Sequence, residues 1–499
     1  MQPTYLLAID QGTTSSRALV VDSAGEIAGI GQQPFAQHYP QPGRVEHDPW
    51  DIWESTLESI TIAMAQAGLT PGQLRAIGLT NQRETVVTWD RTTGEPLGNA
   101  IVWQDRRTAG ICEDLRSAGH EESIRKLTGL TLDPYFSATK LTWLLRHDAA
   151  VREAAAAGTL AAGTVDSWLI WKLTGGQRHV TDYTNASRTM LFNINRGRWD
   201  DGLCDLFEVP RSALPVAQPS RSMFGTTDEA VFGARVPITG VAGDQQAALF
   251  GQGGFAPGVA KNTYGTGCFL LSHAGNRPGR PEGGLLTSIG GGAGPGGPEY
   301  VLEGAVFVAG AVVQWLRDEM GVIARAEEIE GLAASVPDNG GVAVVPAFTG
   351  LGAPDWDPHA RGAILGITRG TTKAHIARAA LEAIALSSAE LIQAMNEALP
   401  APIGELRVDG GASRNDLLMQ MQADYSGIPV LRPRNTETTA LGAAYLAGLE
   451  VGTWASVEEV GSLWRPERVF EPSMGAAERH GHLRHWRRAV ERTLGWAVE

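Results

Sequence analysis

A chain of 499 residues is too long for one hydrophobic core, and with 43% apolar residues it is expected to pack as two large domains or a few smaller ones. Its 55 acidic and 41 basic side chains leave a net charge of −14, which excludes a general nucleic-acid binder and obliges any anion-handling site to gather positive charge locally. Cys112, Cys204 and Cys268 are few, odd in number and widely spaced, so neither a disulfide framework nor a cysteine zinc site is expected, and a reducing cytoplasm fits.

The first apolar run, Tyr5 to Asp10, has no basic region before it and is interrupted by Asp10, which predicts a first strand and not a signal peptide. It turns through Gln11-Gly12-Thr13-Thr14-Ser15-Ser16-Arg17 into a second strand from Ala18 to Asp22, and Ile27 to Gln33 completes an antiparallel meander. That turn suits a metal-bound phosphate. Gly12 permits the bend, Thr13, Thr14 and Ser15 offer hydroxyls and N–H donors, Arg17 adds a positive fork, and Asp10 can hold Mg²⁺ through water. A hairpin turn rich in small polar residues is the plain alternative.

Pro49 then opens a helix with Trp50, Trp53, Leu57 and Ile60 at helical spacing. Leu74 to Thr80 is a strand ending in Asn81-Gln82-Arg83-Glu84, with Thr85 to Trp89 expected as its neighbour. Gly243 to Pro257 mixes glycines with an Ala-rich stretch, and the boundary between domains 1–251 and 252–499 is placed there, at Gly251. Val259 to Ser272 repeats the opening pattern, with Tyr264-Gly265-Thr266-Gly267 as the turn. Two halves, each offering one phosphate turn to a common cleft, explain both the echo and the length.

Gly283 to Gly297 reads as a flexible glycine-rich loop, and Val306 to Met320 and Lys373 to Ala398 as helices. The apolar stretch Ala305 to Val313 is too short to span a membrane. Leu406 to Ala412 is a strand running into a glycine turn, and Asn415 to Ser426 continues as a helix, an arrangement that lets a nucleotide approach the backbone. From Ala476 the tail is a charged helix with Trp486 and Val490 on its buried side. Its His480, His482 and His485 read as solvated side chains, since no Cys or acid completes a metal set.

Asp10-Gln-Gly-Thr-Thr-Ser-Ser-Arg17, Asn81-Gln-Arg-Glu-Thr85, Gly243-Asp-Gln-Gln246, Tyr264-Gly-Thr-Gly267 and Asp409-Gly-Gly-Ala412 occur in this order and at these separations. Together they resemble the FGGY carbohydrate kinases, over the chain from Tyr5 to about Gly452. Further matches are Tyr135 to Trp143, Thr181 to Arg188 and Pro346 to Pro354. The resemblance implies an α/β fold of two ribonuclease-H-like, actin-like ATPase domains, with mixed central sheets flanked by helices and a cleft between them. It implies transfer of the γ-phosphoryl of ATP, with Mg²⁺, to glycerol, giving sn-glycerol 3-phosphate and ADP, the first step of glycerol breakdown. Another polyol or ketose is the alternative acceptor.

Residue by residue, the resemblance makes Asp244 the general base. Arg83, Glu84, Trp103, Tyr135, Asp244, Gln245 and Phe269 become the acceptor site. Thr13, Thr14, Ser15 and Arg17 match its first phosphate loop, Thr266 and Gly267 its second, and Gly310, Gln314, Gly411 and Asn415 its adenosine contacts. The absence of a Walker-type lysine loop agrees with that family and tells against a P-loop enzyme. A cytoplasmic homodimer or homotetramer is implied, with no integral membrane association and no nucleic acid. Two regulatory features of some bacterial members are not expected. The stretch from Ala230 to Arg235 keeps only the final Arg of their sugar-bisphosphate loop, and Gly225 to Arg235 contains no histidine to phosphorylate. Around Glu478 the sequence diverges too far to carry over a partner contact.

Overall fold

An apolar run without alternation predicts a strand covered on both faces, and Tyr5–Gln11 (β1) has that character, with Leu6, Leu7, Ala8 and Ile9 fully buried. The computed structural model describes residues 4–279, 284–292 and 298–497. In it β1 pairs antiparallel with Ser15–Asp22 (β2), and β2 with Ile27–Pro34 (β3). On its other side β1 runs parallel to Leu74–Asn81 (β4). Arg221–Thr226 (β5) forms the far edge, antiparallel to Pro237–Gly243 (β6), which lies parallel to β4. The order of this six-stranded sheet is therefore β5-β6-β4-β1-β2-β3.

The second half repeats the plan. Val259–Tyr264 (β7) pairs antiparallel with Cys268–Gly275 (β8), and Leu286–Ile289 (β9) with Tyr300–Val306 (β10), which also pairs with β8. Glu405–Asp409 (β11) and Val430–Pro433 (β12) add in parallel, and Pro466–Phe470 (β13) closes the edge antiparallel. Read from β10 through β8, β7 and β11 to β12, this sheet has the strand order and senses of β3-β2-β1-β4-β6, with β9 added beyond β10 and an antiparallel edge strand that precedes its neighbour in the first sheet (β5) and follows it in the second (β13). The echo between the two turns is thus the visible part of a duplicated sheet.

Helices cover the sheets. Pro49–Ala67 (α1) starts where Asp48 accepts from the N–H of Trp50, with proline in the first turn, and it packs on β2 and β3. Asp244–Gly251 (α2) follows β6 directly. The second sheet is flanked by Gly310–Asp318 (α3), Lys373–Ala398 (α4), Asp416–Ser426 (α5) and the terminal Ala476–Val490 (α7), which share one core with it. Between α5 and α7, Thr438–Glu450 (α6) leaves β12 and packs on the first sheet, burying Leu441, Ala444 and Tyr445 with Leu6 and Ala8. It crosses α2 at backbone contact. A Cβ on Gly251 would lie 1.9 Å from the Thr438 carbonyl, and one on Gly442 would lie 1.9 Å from that of Ala247. Only glycine fits either position.

Three expectations are corrected. The segment after β4 does not return to pair with it: Val87–Asp90 pairs antiparallel with Leu160–Gly163, because Glu84 takes a left-handed φ of 62° and turns the chain out of the sheet. The helix expected from Val306 begins at Gly310, since Val306 still pairs with Cys268 and the Ala309 N–H bonds the Thr266 carbonyl. The glycine-rich stretch from Gly283 contains strand β9, whose Leu286 and Ile289 are buried, while positions 283 and 293–297 lie outside the described residues.

Candidate active site

In each sheet the parallel strands stop at one level, and the loops leaving their carboxyl ends carry the polar residues singled out in the sequence. Register pairs Gln11 with Asn81 and Asn81 with Gly243, so Asp10, Arg83, Glu84 and Asp244 emerge side by side from β1, β4 and β6. The pairing of Thr263 with Asp409 sets the turn at Gly265–Gly267 beside Gly410 and Gly411 in the same way.

A buried ionic cluster joins the two halves. Arg83, only 2% exposed, donates from Nη1 and Nη2 to the two carboxylate oxygens of Glu303 at 2.6 and 2.8 Å, and its Nε lies 3.2 Å from Asp244 Oδ1. Arg188 donates to Glu84 Oε1 at 2.6 Å and to Glu303 Oε1 at 3.2 Å. Burial opposes the charge of Glu303, yet the guanidiniums of Arg188 and Arg83 outweigh it and hold the carboxyl down at about 2. At Glu84 burial wins over the same two guanidiniums and the carboxyl is pushed up. The left-handed backbone of Glu84 is strain of about 1–3 kcal/mol for a residue with a side chain, of the kind stored at functional sites. Asp244 differs from its neighbours: its side chain is 30% exposed, and Oδ1 takes the Gln245 N–H at 2.7 Å, while Oδ2 has no partner among the described residues.

Three aromatic rings stand against this cluster. Trp103 meets Tyr135 edge-on at 5.6 Å and Phe269, from the second sheet, at 6.4 Å. Tyr135 is buried, its hydroxyl makes no hydrogen bond among the described residues, and burial with the nearby Glu84 pushes that hydroxyl far above its ordinary range. The backbone here is held by Lys140, fully buried, which donates to the carbonyls of Pro134 at 2.8 Å and Tyr135 at 2.7 Å. Trp103 Nε1 donates to Thr13 Oγ1 at 2.9 Å, which ties the aromatic wall to the first turn.

That turn is closed by the Gly12 N–H on the Ser15 carbonyl at 3.0 Å, with Thr14 exposed and Ser15 accepting from Gln32 at 2.9 Å. Arg17 is already engaged, by Glu437 across the halves and by Gln32. Asp10 makes no hydrogen bond or ion pair among the described residues, and burial raises its carboxyl to about 7 against the pull of Arg17, with Asp244 and Glu437 adding like charge. A half-buried carboxylate in that state fits a divalent cation. No cluster of three metal-ligating side chains occurs among the described residues, so the other ligands would be water and phosphate oxygens, the usual Mg²⁺ set.

In the second half, Thr266 is exposed and Gly267 buried, and the carbonyls of Gly265 and Thr266 take the N–H groups of Gly310 and Ala311 at the start of α3. Gln314, one turn on, is exposed. Gly410 has a φ of 84°, and a Cβ there would sit 2.5 Å from the Tyr264 carbonyl, whereas a Cβ on Gly411 would meet nothing within 4 Å. Asn415 caps α5 through Leu418 N–H at 2.8 Å, which leaves its amide nitrogen for other use.

Arg83, Glu84, Trp103, Tyr135, Asp244, Gln245 and Phe269 therefore converge, each turn leaves the carboxyl end of the first strand of its own sheet, and Gln314 lies exposed on α3. Sequence reasoning did not single out Glu303, Arg188, Lys140 or Lys261. Glu303 carried a signal, since a charged side chain inside an apolar strand such as Tyr300–Val306 must be paired, whereas Arg188 sits in a polar turn that announces nothing.

The family model described as "FGGY family of carbohydrate kinases, N-terminal domain" matches residues 5–251, and the corresponding C-terminal domain matches residues 260–451. A protein of Aromatoleum aromaticum named glycerol kinase is 59% identical over 495 residues, covering 99% of this chain and 100% of its own. The structure of Plasmodium falciparum glycerol kinase with ADP superposes with a TM-score of 0.91 at 37% identity, covering 99% of this chain and 98% of that one. Gluconate kinase from Lactobacillus acidophilus, 21% identical with a TM-score of 0.87 over 98% of both chains, shares the fold.

Proposed function

The chain belongs to the FGGY family of carbohydrate kinases, and from that premise we propose that it uses ATP to phosphorylate a terminal hydroxyl of glycerol, releasing ADP and sn-glycerol 3-phosphate. One observation carries the residue roles. Among the described residues Asp244 keeps one carboxylate oxygen without a partner, while the other lies beside the Nε of Arg83. In this reading the acceptor hydroxyl gives its proton to Asp244 as its oxygen bonds the γ-phosphorus, and the bond from that phosphorus to the ADP oxygen breaks. A positioned base of this kind contributes about 10²–10⁴ in rate.

Arg83 and Gln245 donate to the acceptor's oxygens, Glu84 accepts, Tyr135 supplies its free hydroxyl, and Trp103 with Phe269 covers the carbons. Thr13, Thr14 and Ser15 on one side and Thr266 with Gly267 on the other hold the phosphates. Arg17 acts there through its pair with Glu437, and Gly310, Gln314, Gly411 and Asn415 flank the nucleoside. Mg²⁺ at Asp10, when bound, neutralises charge on the phosphates. The division at Gly251, location in the cytoplasm and assembly into a homodimer or homotetramer complete the proposal. Three buried, unpaired cysteines support the location, and family resemblance alone supports the assembly.

The test is ADP release over glycerol, dihydroxyacetone, erythritol, xylulose and ribulose. Glycerol is expected to give the highest kcat/KM, with little ADP formed without an acceptor. A ketose preferred over glycerol would assign a different acceptor.

A further inference from the structure

Lys261 on β7 has no exposed surface, and a buried ammonium is destabilising unless its donors are met. All three of its donors are placed. One goes to Gln245 Oε1 across the halves, one to Thr263 Oγ1 at 2.8 Å and one to the Phe269 carbonyl at 3.3 Å. Thr263 and Phe269 belong to Lys261's own hairpin, which an apolar side chain at this position would hold at lower cost in desolvation. The contact that needs a lysine is the one to Gln245. An ammonium can only donate, so the amide must turn its oxygen toward β7. Its nitrogen has no hydrogen bond among the described residues and faces away from Lys261, with both N–H groups available.

We infer that Lys261 is a positioning residue of the acceptor site: it presents Gln245 to the polyol as a donor only, and it fixes the backbone behind the Phe269 ring. This deepens the proposed function and rests on it. The consequence is that the second sheet, which carries the nucleotide-side turn, also sets the hydrogen-bond polarity of the acceptor pocket in the first half. A hydroxyl over Gln245 is recognised through its lone pairs.

The experiment compares Lys261→Met, which keeps length without a donor, with Lys261→Gln, which keeps a donor without charge, both with glycerol and ATP varied. Lys261→Met is expected to raise the glycerol KM by at least ~10-fold, the loss of about one oriented hydrogen bond, with the ATP KM within ~3-fold. Lys261→Gln is expected to recover most of that loss. In a Gln245→Ala background, Lys261→Met should add less than ~2-fold, because the group it orients is gone. Equal rises in both KM values, no recovery by Lys261→Gln, or additive effects in the double variant would overturn the inference. If Lys261→Met does not fold, Lys261→Leu, too short and without a donor to reach Gln245, takes its place: a glycerol KM at least ~3-fold above that of Lys261→Gln supports the role, and a smaller difference between the two refutes it. A wild-type protein showing no glycerol-dependent ADP release overturns the proposed function itself, a result that no difference between variants can mimic.

Discussion

Replacing Glu303 by Gln keeps the shape of the side chain and reverses the sign of one contact. The wild-type carboxylate accepts three guanidinium N–H groups, at 2.6 and 2.8 Å from Arg83 and 3.2 Å from Arg188, with no exposure to water. An amide turns one acceptor into a donor facing a cation, and it leaves the cluster with an extra positive charge. Hydrogen bonds to charged groups are worth about 1.5–3 kcal/mol, and removing one partner of a buried pair costs about 3–5 kcal/mol. For a domain of this size that corresponds to a Tm lower by roughly 6–20 °C, read by calorimetry. The sign with pH follows from the carboxyl being held down at about 2 in the folded protein. Its stabilisation is complete above the unfolded carboxylate range and is lost as pH falls toward 2, so the deficit of the variant should be constant from pH 5 to 8 and shrink below about 4.5. A Tm within ~2 °C of wild type at pH 7 would refute the reasoning, because the cluster would then be solvated or repaired by its neighbours.

Three further outcomes are expected. Gly410→Ala should destabilise the protein by at least ~1 kcal/mol, since its φ of 84° and the Tyr264 carbonyl at 2.5 Å both reject a Cβ. Gly411→Ala, facing open space, should leave Tm unchanged and raise the ATP KM several-fold if the nucleoside lies there; an unchanged KM removes Gly411 from that surface. His47 is buried, which lowers its pKa to about 4, so its contribution is fully present above pH 6.5 and is lost as pH falls toward 4. His47→Gln, which cannot be protonated, should therefore gain on wild type by up to about 3 kcal/mol across that interval in paired urea melts, and a difference that stays flat with pH contradicts a neutral buried imidazole.

What the sequence revealed was local. The turn after β1, the 26-residue helix from Lys373 to Ala398 and the glycine turn after Asp409 are each announced within a dozen residues by period, cap or breaker, and each stands as expected. The residues proposed to hold the acceptor were legible because Arg83, Tyr135 and Asp244 sit in recognisable motifs. Glu303 was not, because its meaning lies in a pairing with a residue 220 positions away, on the other sheet. The partner of Val87–Asp90 failed for the same reason: the chain leaves the sheet at Glu84, and the strand it joins, Leu160–Gly163, follows several intervening helices. The duplication was audible as an echo of two turns, and strand order made it a repeat.

The central claim is that the half-exposed carboxylate at the head of α2 takes the proton from the acceptor hydroxyl. Asp244→Asn keeps the size of the side chain, and the amide oxygen can still accept from the Gln245 N–H, but the base is gone. Measured together, glycerol-dependent ADP release and ADP affinity by calorimetry isolate that loss. The account predicts turnover lower by at least ~10²-fold with ADP affinity unchanged. Turnover within a few-fold of wild type would contradict it.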